Sequence, residues 1–130
     1  MAGFHQNSND REPAGEVRAQ LQRALVALLT EYHGRGPSRA KVFVDENVVT
    51  CVFEQPFTWA ERRLIDSGQE EHVHRGRALL RQEQAERITT LVEEATGRRL
   101  LAFLGQSHTN PDALVWVLLL EPLKGETVLA

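Results

Sequence analysis

The segment Gly34-Arg35-Gly36-Pro37 separates a helical pattern from a strand pattern, and the predicted fold is organised around this junction. Glycine adopts the left-handed conformation that a helix C-terminus needs, and proline cannot continue a helix. Before the segment, residues 15–32 carry apolar side chains at spacings of three and four, which predicts one amphipathic helix. After it, residues 39–45 alternate in polarity, which predicts a β-strand.

Five further elements are predicted downstream of this strand. Thr58 and Glu61 have the spacing of a capping box, in which each side chain accepts a hydrogen bond from a backbone N–H at the helix start. Gly97 has the position of a C-terminal cap. The five elements are a strand over 48–54, a short helix from 58 to about 66, a long helix over about 69–95, and strands over 100–104 and 114–121.

The order of these elements, α-β-β-α-α-β-β, predicts an α+β fold. Two hairpins with helices between them indicate a two-layer domain, with one four-stranded antiparallel sheet and the helices on one face. The 130 residues are enough for one hydrophobic core, so residues 15–121 are predicted to form a single domain. Residues 1–14 are polar and aperiodic, which predicts a disordered N-terminal tail, and residues 122–130 are predicted to form a C-terminal tail.

The last predicted strand is apolar on both of its faces. Its side chains form two alternating sets, which are Leu114, Trp116, Leu118, Leu120 and Val115, Val117, Leu119. One helix layer covers only one of these sets, so the other set needs a second cover. A second copy of the chain is the simplest cover, which predicts a homodimer. The alternative is a monomer whose C-terminal tail folds over that face.

The composition bears on which partners the protein binds and on its cellular compartment. The formal net charge of −3 and the pI near 5.9 argue against a nucleic-acid-binding protein, which would carry a basic excess. Cys51 is the only cysteine, so no internal disulfide is predicted and the cytoplasm is the expected compartment. The longest apolar run, residues 113–120, is far shorter than the ~20 residues of a membrane span. Any membrane association is therefore predicted to be peripheral and to run through a partner.

Two polar residues interrupt the apolar stripe of the long helix. Arg77 lies four residues after Val73 and three before Leu80, and Gln84 follows further along the same stripe. A charge on a buried face needs a partner, so Glu61 on the preceding helix is predicted to form an ion pair with Arg77 that docks the short helix onto the long one. The alternatives are that the Arg77 head reaches water along an apolar surface, or that it binds an anion.

Arg35 is the second candidate for anion binding. A guanidinium between glycines at a helix end can grip a carboxylate, bicarbonate or phosphate in a fork. The Gly-X-Gly-Pro pattern lacks the spacing of a dinucleotide-binding fingerprint and follows a helix instead of a strand. A plain helix-to-strand turn is therefore the alternative.

The histidines and the cysteine predict no metal site and no cofactor. His72 and His74 are two apart on a helix and project to different sides, so they cannot share one ion. Cys51 alternates with apolar neighbours in a strand and is predicted to pack as a small hydrophobic residue. Glu61 with His108 is the pair that could do acid–base work if the fold brings the two together.

These features together resemble the MpsC-like family of small bacterial proteins, over about residues 15–121. The resemblance rests on the order and spacing of short motifs, which are Gly34-Arg35-Gly36-Pro37, Thr58-Trp59-Ala60-Glu61, the helix with Arg77, and Thr96-Gly97 before the last hairpin. It implies an accessory role beside a cation-translocating, membrane-potential-generating system whose neighbours are linked to uptake of inorganic carbon. The family-pattern positions are Gly34, Gly36, Pro37, Glu61, Arg77 and Gly97, and Arg35 stands where another basic residue is frequent.

The sequence supports three functional hypotheses. The first is a non-catalytic cytoplasmic homodimer that binds a membrane-protein partner, as the resemblance implies. The second is a sensor of small anions or other small ligands, bound by Arg35 and Arg77 with Gly34, Gly36 and Pro37 shaping the loop. The third is an enzyme of undefined acid–base type.

Overall fold

The computed structural model describes residues 2–126, and the side chains of residues 15–126. Within this range the chain has four helices and four strands in the predicted order, with the long helix divided in two, so the α+β class is confirmed. The elements are α1 Ala2–His33, β1 Arg39–Asp45, β2 Val48–Glu54, α2 Trp59–Asp66, α3 Glu70–Glu83, α4 Ala85–Thr96, β3 Leu100–His108 and β4 Ala113–Leu120.

The four strands form one antiparallel sheet in the order β1-β2-β4-β3. β1 pairs with β2 along its whole length, from Arg39 opposite Glu54 to Asp45 opposite Val48. β4 lies between β2 and β3 and pairs with both. The two hairpins are therefore joined through their second strands, and β1 and β3 are the edges of the sheet.

One face of the sheet, the inner face, packs against α1 and α4. In β4 it carries Leu114, Trp116, Leu118 and Leu120, and all four side chains are buried. Burial of such side chains stabilises a fold by about 25 cal/mol per Å² of apolar surface. The buried core comprises Leu21, Leu25, Leu28, Leu29, Val42, Val49, Cys51, Phe53, Ile88, Val92, Ala95, Leu114, Trp116, Leu118 and Leu120.

The long helix predicted over about 69–95 is divided at Gln84. This residue ends α3 and begins α4, and it is 2% exposed. The two halves bury their apolar stripes against different neighbours. Val73 of α3 packs into a small cluster with Ile65 of α2, whereas Ile88 and Val92 of α4 join the main core.

β3 and α1 are longer than predicted. β3 continues through Gly105 to His108, although the glycine suggested a loop. A Cβ at residue 105 would lie 2.7 Å from Arg81 Cδ and 2.9 Å from Trp116 Cδ1, so the glycine admits a close approach of side chains instead of making a turn. α1 begins at Ala2, so the backbone of residues 2–14 is helical where the sequence suggested a disordered tail. Once a helix is nucleated, each added residue gains one hydrogen bond. The domain boundary at residue 15 stays a prediction.

Candidate functional site

The polar residues singled out in the sequence converge on residues 55–58, the segment that joins β2 to α2. Gln55 has a left-handed backbone with a φ of 50°, which is uncommon for a residue other than glycine. Its N–H donates to the carbonyl oxygen of Asp112 at 3.1 Å, so the loop between β3 and β4 holds this strained position. Thr58 Oγ1 then accepts the N–H of Glu61 at 3.1 Å, and the Thr58 N–H donates to Glu61 Oε1 at 2.8 Å. This is the predicted capping box at the start of α2.

Arg77 and Glu61 form an ion pair between α3 and α2. Arg77 Nε donates to Glu61 Oε2 at 2.7 Å, and Arg77 Nη2 donates to Glu61 Oε1 at 2.6 Å. Nη2 also donates to the carbonyl oxygen of Pro56 at 2.7 Å. Arg77 is only 4% exposed, and its buried charge is paired with a carboxylate through Nε and Nη2, as a buried guanidinium requires.

The electrostatics of this cluster include His33 at the end of α1. Burial raises the pKa of the Glu61 carboxyl, but hydrogen bonds from Arg77 and from the Thr58 N–H outweigh burial and bring the pKa below its usual value. Burial and the nearby charge of Arg77 lower the pKa of His33 to about 4, against the opposing effect of Glu61. At neutral pH the cluster therefore holds one ion pair and a neutral imidazole.

Arg35 contacts the same segment as Arg77 but in a different way. Arg35 Nη1 donates to the carbonyl oxygen of Phe57 at 3.1 Å, one residue after the carbonyl that Arg77 contacts. A cleft of about 400 Å³ opens beside Arg35, and Arg77 does not line it. The lining residues are Arg35, Gln55, Phe57, Thr58, Trp59, Arg62 and Asp112. The structure thus brings both predicted arginines to one segment, but only Arg35 faces an open cleft.

The glycines around Arg35 fix the path of the turn between α1 and β1. Gly34 has a φ of 78°, and its N–H donates to the carbonyl oxygen of Thr30 at 2.9 Å, which ends α1. A Cβ at Gly36 would lie 2.5 Å from Thr30 Oγ1, so the turn passes close to the helix. Pro37 follows in the short irregular stretch before β1. These features account for the Gly-X-Gly-Pro pattern without a bound phosphate.

The two arginines that line the cleft differ in their ion-pair partners. Arg62 pairs with both Asp66 and Asp112. Arg35 contacts no carboxylate among the described residues, and its hydrogen bond goes to a neutral carbonyl oxygen. A guanidinium without a carboxylate at the edge of a cleft can accept an anionic group.

Trp59, in the first turn of α2, borders the cleft and is 76% exposed. The guanidinium carbon of Arg63 lies 5.5 Å from the centre of its ring. Tryptophan is enriched at protein interfaces, because its ring offers a large contact area. The sequence patterns give Trp59 no role of its own. The signal that could have found it is its position in the helix, away from the buried Ile65.

The second face of the sheet, the open face, has no helix packed over its central rows among residues 15–126, and α2 borders one end of it. It carries Phe43 at 57% exposure and Leu104 at 61% exposure, with Val115 and Val117 between them. The C-terminal tail does not cover this face as far as residue 126, because Glu126 pairs with Arg98 at 2.8 Å beyond the end of α4. The open face comprises Arg39, Lys41, Phe43, Asp45, Val48, Thr50, Val52, Glu54, Ala102, Leu104, Gln106, His108, Ala113, Val115, Val117 and Leu119.

The histidines are the remaining candidates for metal binding or acid–base chemistry. In the part of the chain that the structure describes, no three histidine, cysteine or acidic side chains group closely enough to hold a metal ion. His74 Nδ1 lies 2.5 Å from Ser107 Oγ, and His108 Nδ1 lies 2.8 Å from the carbonyl oxygen of Pro111. Glu61 instead engages Arg77, so the structure does not bring Glu61 and His108 together.

Cys51 is part of the main core, on the inner face of β2. Burial raises the pKa of its thiol to about 12, so the reactive thiolate is scarce at neutral pH. Cys51 therefore packs as a small hydrophobic residue. Among the described residues, no helix combines the length and the apolar character that crossing a membrane requires.

The fold and the site define a small two-layer α+β protein with a buried ion pair, an exposed cleft and an apolar open face. The family model described as "Na+-translocating membrane potential-generating system (MpsC)" matches residues 14–122. The chain therefore belongs to the MpsC family, as the sequence motifs indicated. No curated protein and no solved structure matches it.

Proposed function

We propose that this chain is a non-catalytic, cytoplasmic accessory protein that forms a homodimer and binds a protein component of a membrane cation- or inorganic-carbon-transport system. The open face carries this proposal, because an apolar sheet face is unfavourable in contact with water. The family description supports the link to a Na+-translocating membrane system.

The size of the open face suits a dimer interface. With strands about 4.8 Å apart and a rise of about 3.4 Å per residue, the four strands span about 20 Å by 25 Å. Two copies packed face to face would bury about 1,000 Å², which is near the lower bound for a specific interface. The central row of the face is apolar apart from Thr50, and its charged residues lie around that row, with Lys41 and Asp45 on the edge strand β1 and Glu54 of β2 at one end, as in the core and rim of known interfaces.

Light scattering coupled to size-exclusion chromatography tests the homodimer. We expect the mass of two chains for the unmodified protein and the mass of one chain for Leu104→Asp, which places a charge on the open face. Leu79→Asp is the matched control, because Leu79 is equally exposed on α3, far from the sheet face, and this variant is expected to remain a dimer. A single-chain mass for the unmodified protein would overturn the proposal.

The membrane link is tested by co-expression with the membrane subunits of the Na+-translocating system from the same genome. We expect the chain to co-purify with those subunits in detergent and to be absent from membranes that lack them. Trp59→Ala is expected to lower the recovery, since an exposed aromatic side chain is a frequent anchor at interfaces. Leu79→Ala is its control. A chain that stays in the aqueous fraction when the subunits are present would contradict this part of the proposal.

A second candidate function, a small-anion sensor, is favoured by Arg35 in the cleft. Arg77 would act there only indirectly, by holding the segment that forms the cleft floor. A thermal-shift assay with bicarbonate, phosphate and acetate tests this function, because a ligand of the folded state raises the melting temperature. Arg35→Gln is expected to abolish the shift, and Arg39→Gln, which lies outside the cleft, is expected to keep it. No shift with any of the three anions would exclude the candidate.

A further inference from the structure

The open face is organised in rows that cross all four strands. Three rows form its main part, and they are Lys41–Val52–Val115–Gln106, Phe43–Thr50–Val117–Leu104 and Asp45–Val48–Leu119–Ala102. In these rows Lys41 and Asp45 are the charged residues, and both lie on the edge strand β1. They flank Phe43 on either side, so the middle row is apolar from edge to edge apart from the Thr50 hydroxyl.

A homodimer that packs face to face has its two-fold axis in the plane between the two sheets. An axis parallel to the strands lays β1 of one copy over β3 of the other. Lys41 then faces Gln106 and Asp45 faces Ala102, so neither charge meets an opposite charge. An axis across the strands lays β1 over β1 of the second copy, and Lys41 then faces Asp45.

The shape of the open face favours the second arrangement. A hollow of about 740 Å³ at one end of the face is lined by Lys41 and Val52 of the sheet and by Ile65 and Asp66 of α2. α2 therefore forms a wall at that end. An axis parallel to the strands brings the two walls of the dimer together, whereas an axis across the strands brings each wall to the opposite end of the other copy, where a tight turn joins β1 to β2.

We infer that the homodimer forms about a two-fold axis that crosses the strands along the row of Phe43 and Leu104, with Lys41 of each copy facing Asp45 of the other. This inference rests on the proposed homodimer. Phe43 packs against Phe43 of the second copy, and two symmetric ion pairs form at the rim. Exposed pairs of this kind set orientation more than affinity.

The charges are available for this role. Lys41 Nζ lies 3.4 Å from Glu54 Oε2 within its own chain, and the lysine side chain is 44% exposed, so a second acid can approach it from the solvent side. Asp45 is exposed and has no ion-pair partner among residues 15–126. An acidic group with no basic neighbour of its own complements the lysine of a second copy.

A charge-reversal cycle tests the arrangement by analytical ultracentrifugation. Each of Lys41→Glu and Asp45→Lys turns two attractive pairs into two repulsive ones, so each is expected to raise the dimer dissociation constant roughly tenfold. The double variant restores both pairs in reversed order and is expected to return the constant to within about threefold of the original. Glu94→Lys, an exposed reversal on α4, is the control and is expected to change nothing.

The outcomes separate this inference from the proposed homodimer. Recovery in the double variant, with all variants folded by circular dichroism, supports the axis across the strands. If neither single reversal changes the dissociation constant, or if the double variant does not restore it, the arrangement is wrong although the homodimer remains supported. A single-chain mass for the unmodified protein overturns both.

Discussion

The inner and open faces of the sheet are made by the same strands, and both are apolar, yet they differ in what covers them. In β4, Leu118 faces the helices and is fully buried, while its neighbour Leu119 belongs to the open face and is only half-buried. Alternation along a strand assigns side chains to faces, but it does not say which face a helix will cover. The inner face contributes the apolar burial that stabilises the fold, and the open face stays exposed in the single chain.

The same contrast holds for the arginines. Arg77, between the helices, is buried and bound at two points to Glu61. Arg35, at the surface, holds one neutral carbonyl oxygen and borders an open cleft. A charge on the covered side therefore serves the fold, because an unpaired buried charge is unfavourable, whereas a charge at the surface remains free to meet a partner.

The largest loss of stability is expected from removing the buried charge of Arg77, between α2 and α3. Arg77→Met leaves the Glu61 carboxylate without its partner and is expected to lower the free energy of unfolding by about 3–5 kcal/mol. Arg75→Met, at an exposed position of the same helix, is the matched control and is expected to stay within about 0.5 kcal/mol. Urea denaturation at one protein concentration measures both. Equal costs for the two variants would mean that the ion pair does not stabilise the docking of α2 on α3.

Adjacent leucines of β4 give the most direct comparison of the two faces. Leu118→Ala opens a cavity in the core and is expected to cost about 2–5 kcal/mol. Leu119→Ala is expected to lower the free energy of unfolding by less than about 1 kcal/mol at concentrations where the chain is monomeric, and to weaken the proposed dimer roughly tenfold. Urea denaturation and sedimentation equilibrium measure the two effects. Similar unfolding free energies for the two variants would mean that the two faces contribute equally to the stability of the single chain.

Two glycines are expected to respond to alanine with opposite signs. Gly105→Ala places a Cβ against Arg81 and the buried Trp116, and overpacking of this kind costs about 1–3 kcal/mol. Gly76→Ala meets no atom within 4 Å in the middle of α3 and is expected to stabilise by about 0.5–1 kcal/mol. Thermal denaturation of both variants checks the signs. A stabilising Gly105→Ala would show that the inner face has room at β3.

The last comparison is the acid sensitivity of the covered side, where His33 and Glu61 lie. The pKa of His33 is about 4 in the fold and 6.5 in the unfolded chain, so its neutral form is the one that the fold favours. Its contribution to stability is complete above pH 6.5 and is lost as the pH falls through about 4. The lowered pKa of Glu61 adds a further loss below pH 4.5.

His33→Gln is the variant that isolates the histidine. It is expected to flatten the fall in stability between pH 6.5 and pH 4, and to leave the fall at lower pH in place. Urea denaturation across this range measures the slope. A slope that the substitution does not change would show that another group titrates there.

Local patterns predicted the parts of the fold that depend on local interactions. β1 and β2 have the predicted bounds, because alternating polarity marks a half-buried strand. The capping box at Thr58 and the left-handed cap at Gly97 are likewise local. The division of the long helix at Gln84 and the passage of β3 through Gly105 escaped prediction. Both depend on side chains that arrive from other elements, since α2, Arg81 and Trp116 decide them.

Some features of the candidate site were likewise predictable from the sequence, and others were not. The position of Arg77 on an apolar stripe predicted that it needs an acidic partner. In the structure Arg77 Nη2 lies 2.6 Å from Glu61 Oε1. The strained backbone of Gln55, the cleft beside Arg35 and the exposure of Trp59 have no signature in a single sequence. They arise where three distant segments of the chain meet.

By itself the sequence determined the kind and order of the elements, the two apolar sets of the last strand and the membership in the MpsC family, because periodicity, caps and motif spacing are read along the chain. Only the tertiary structure decided the strand order β1-β2-β4-β3, which apolar set became the core, and that Arg35 and Arg77 hold neighbouring carbonyl oxygens. These outcomes depend on packing between residues that are far apart in the chain, and local preferences do not encode such contacts.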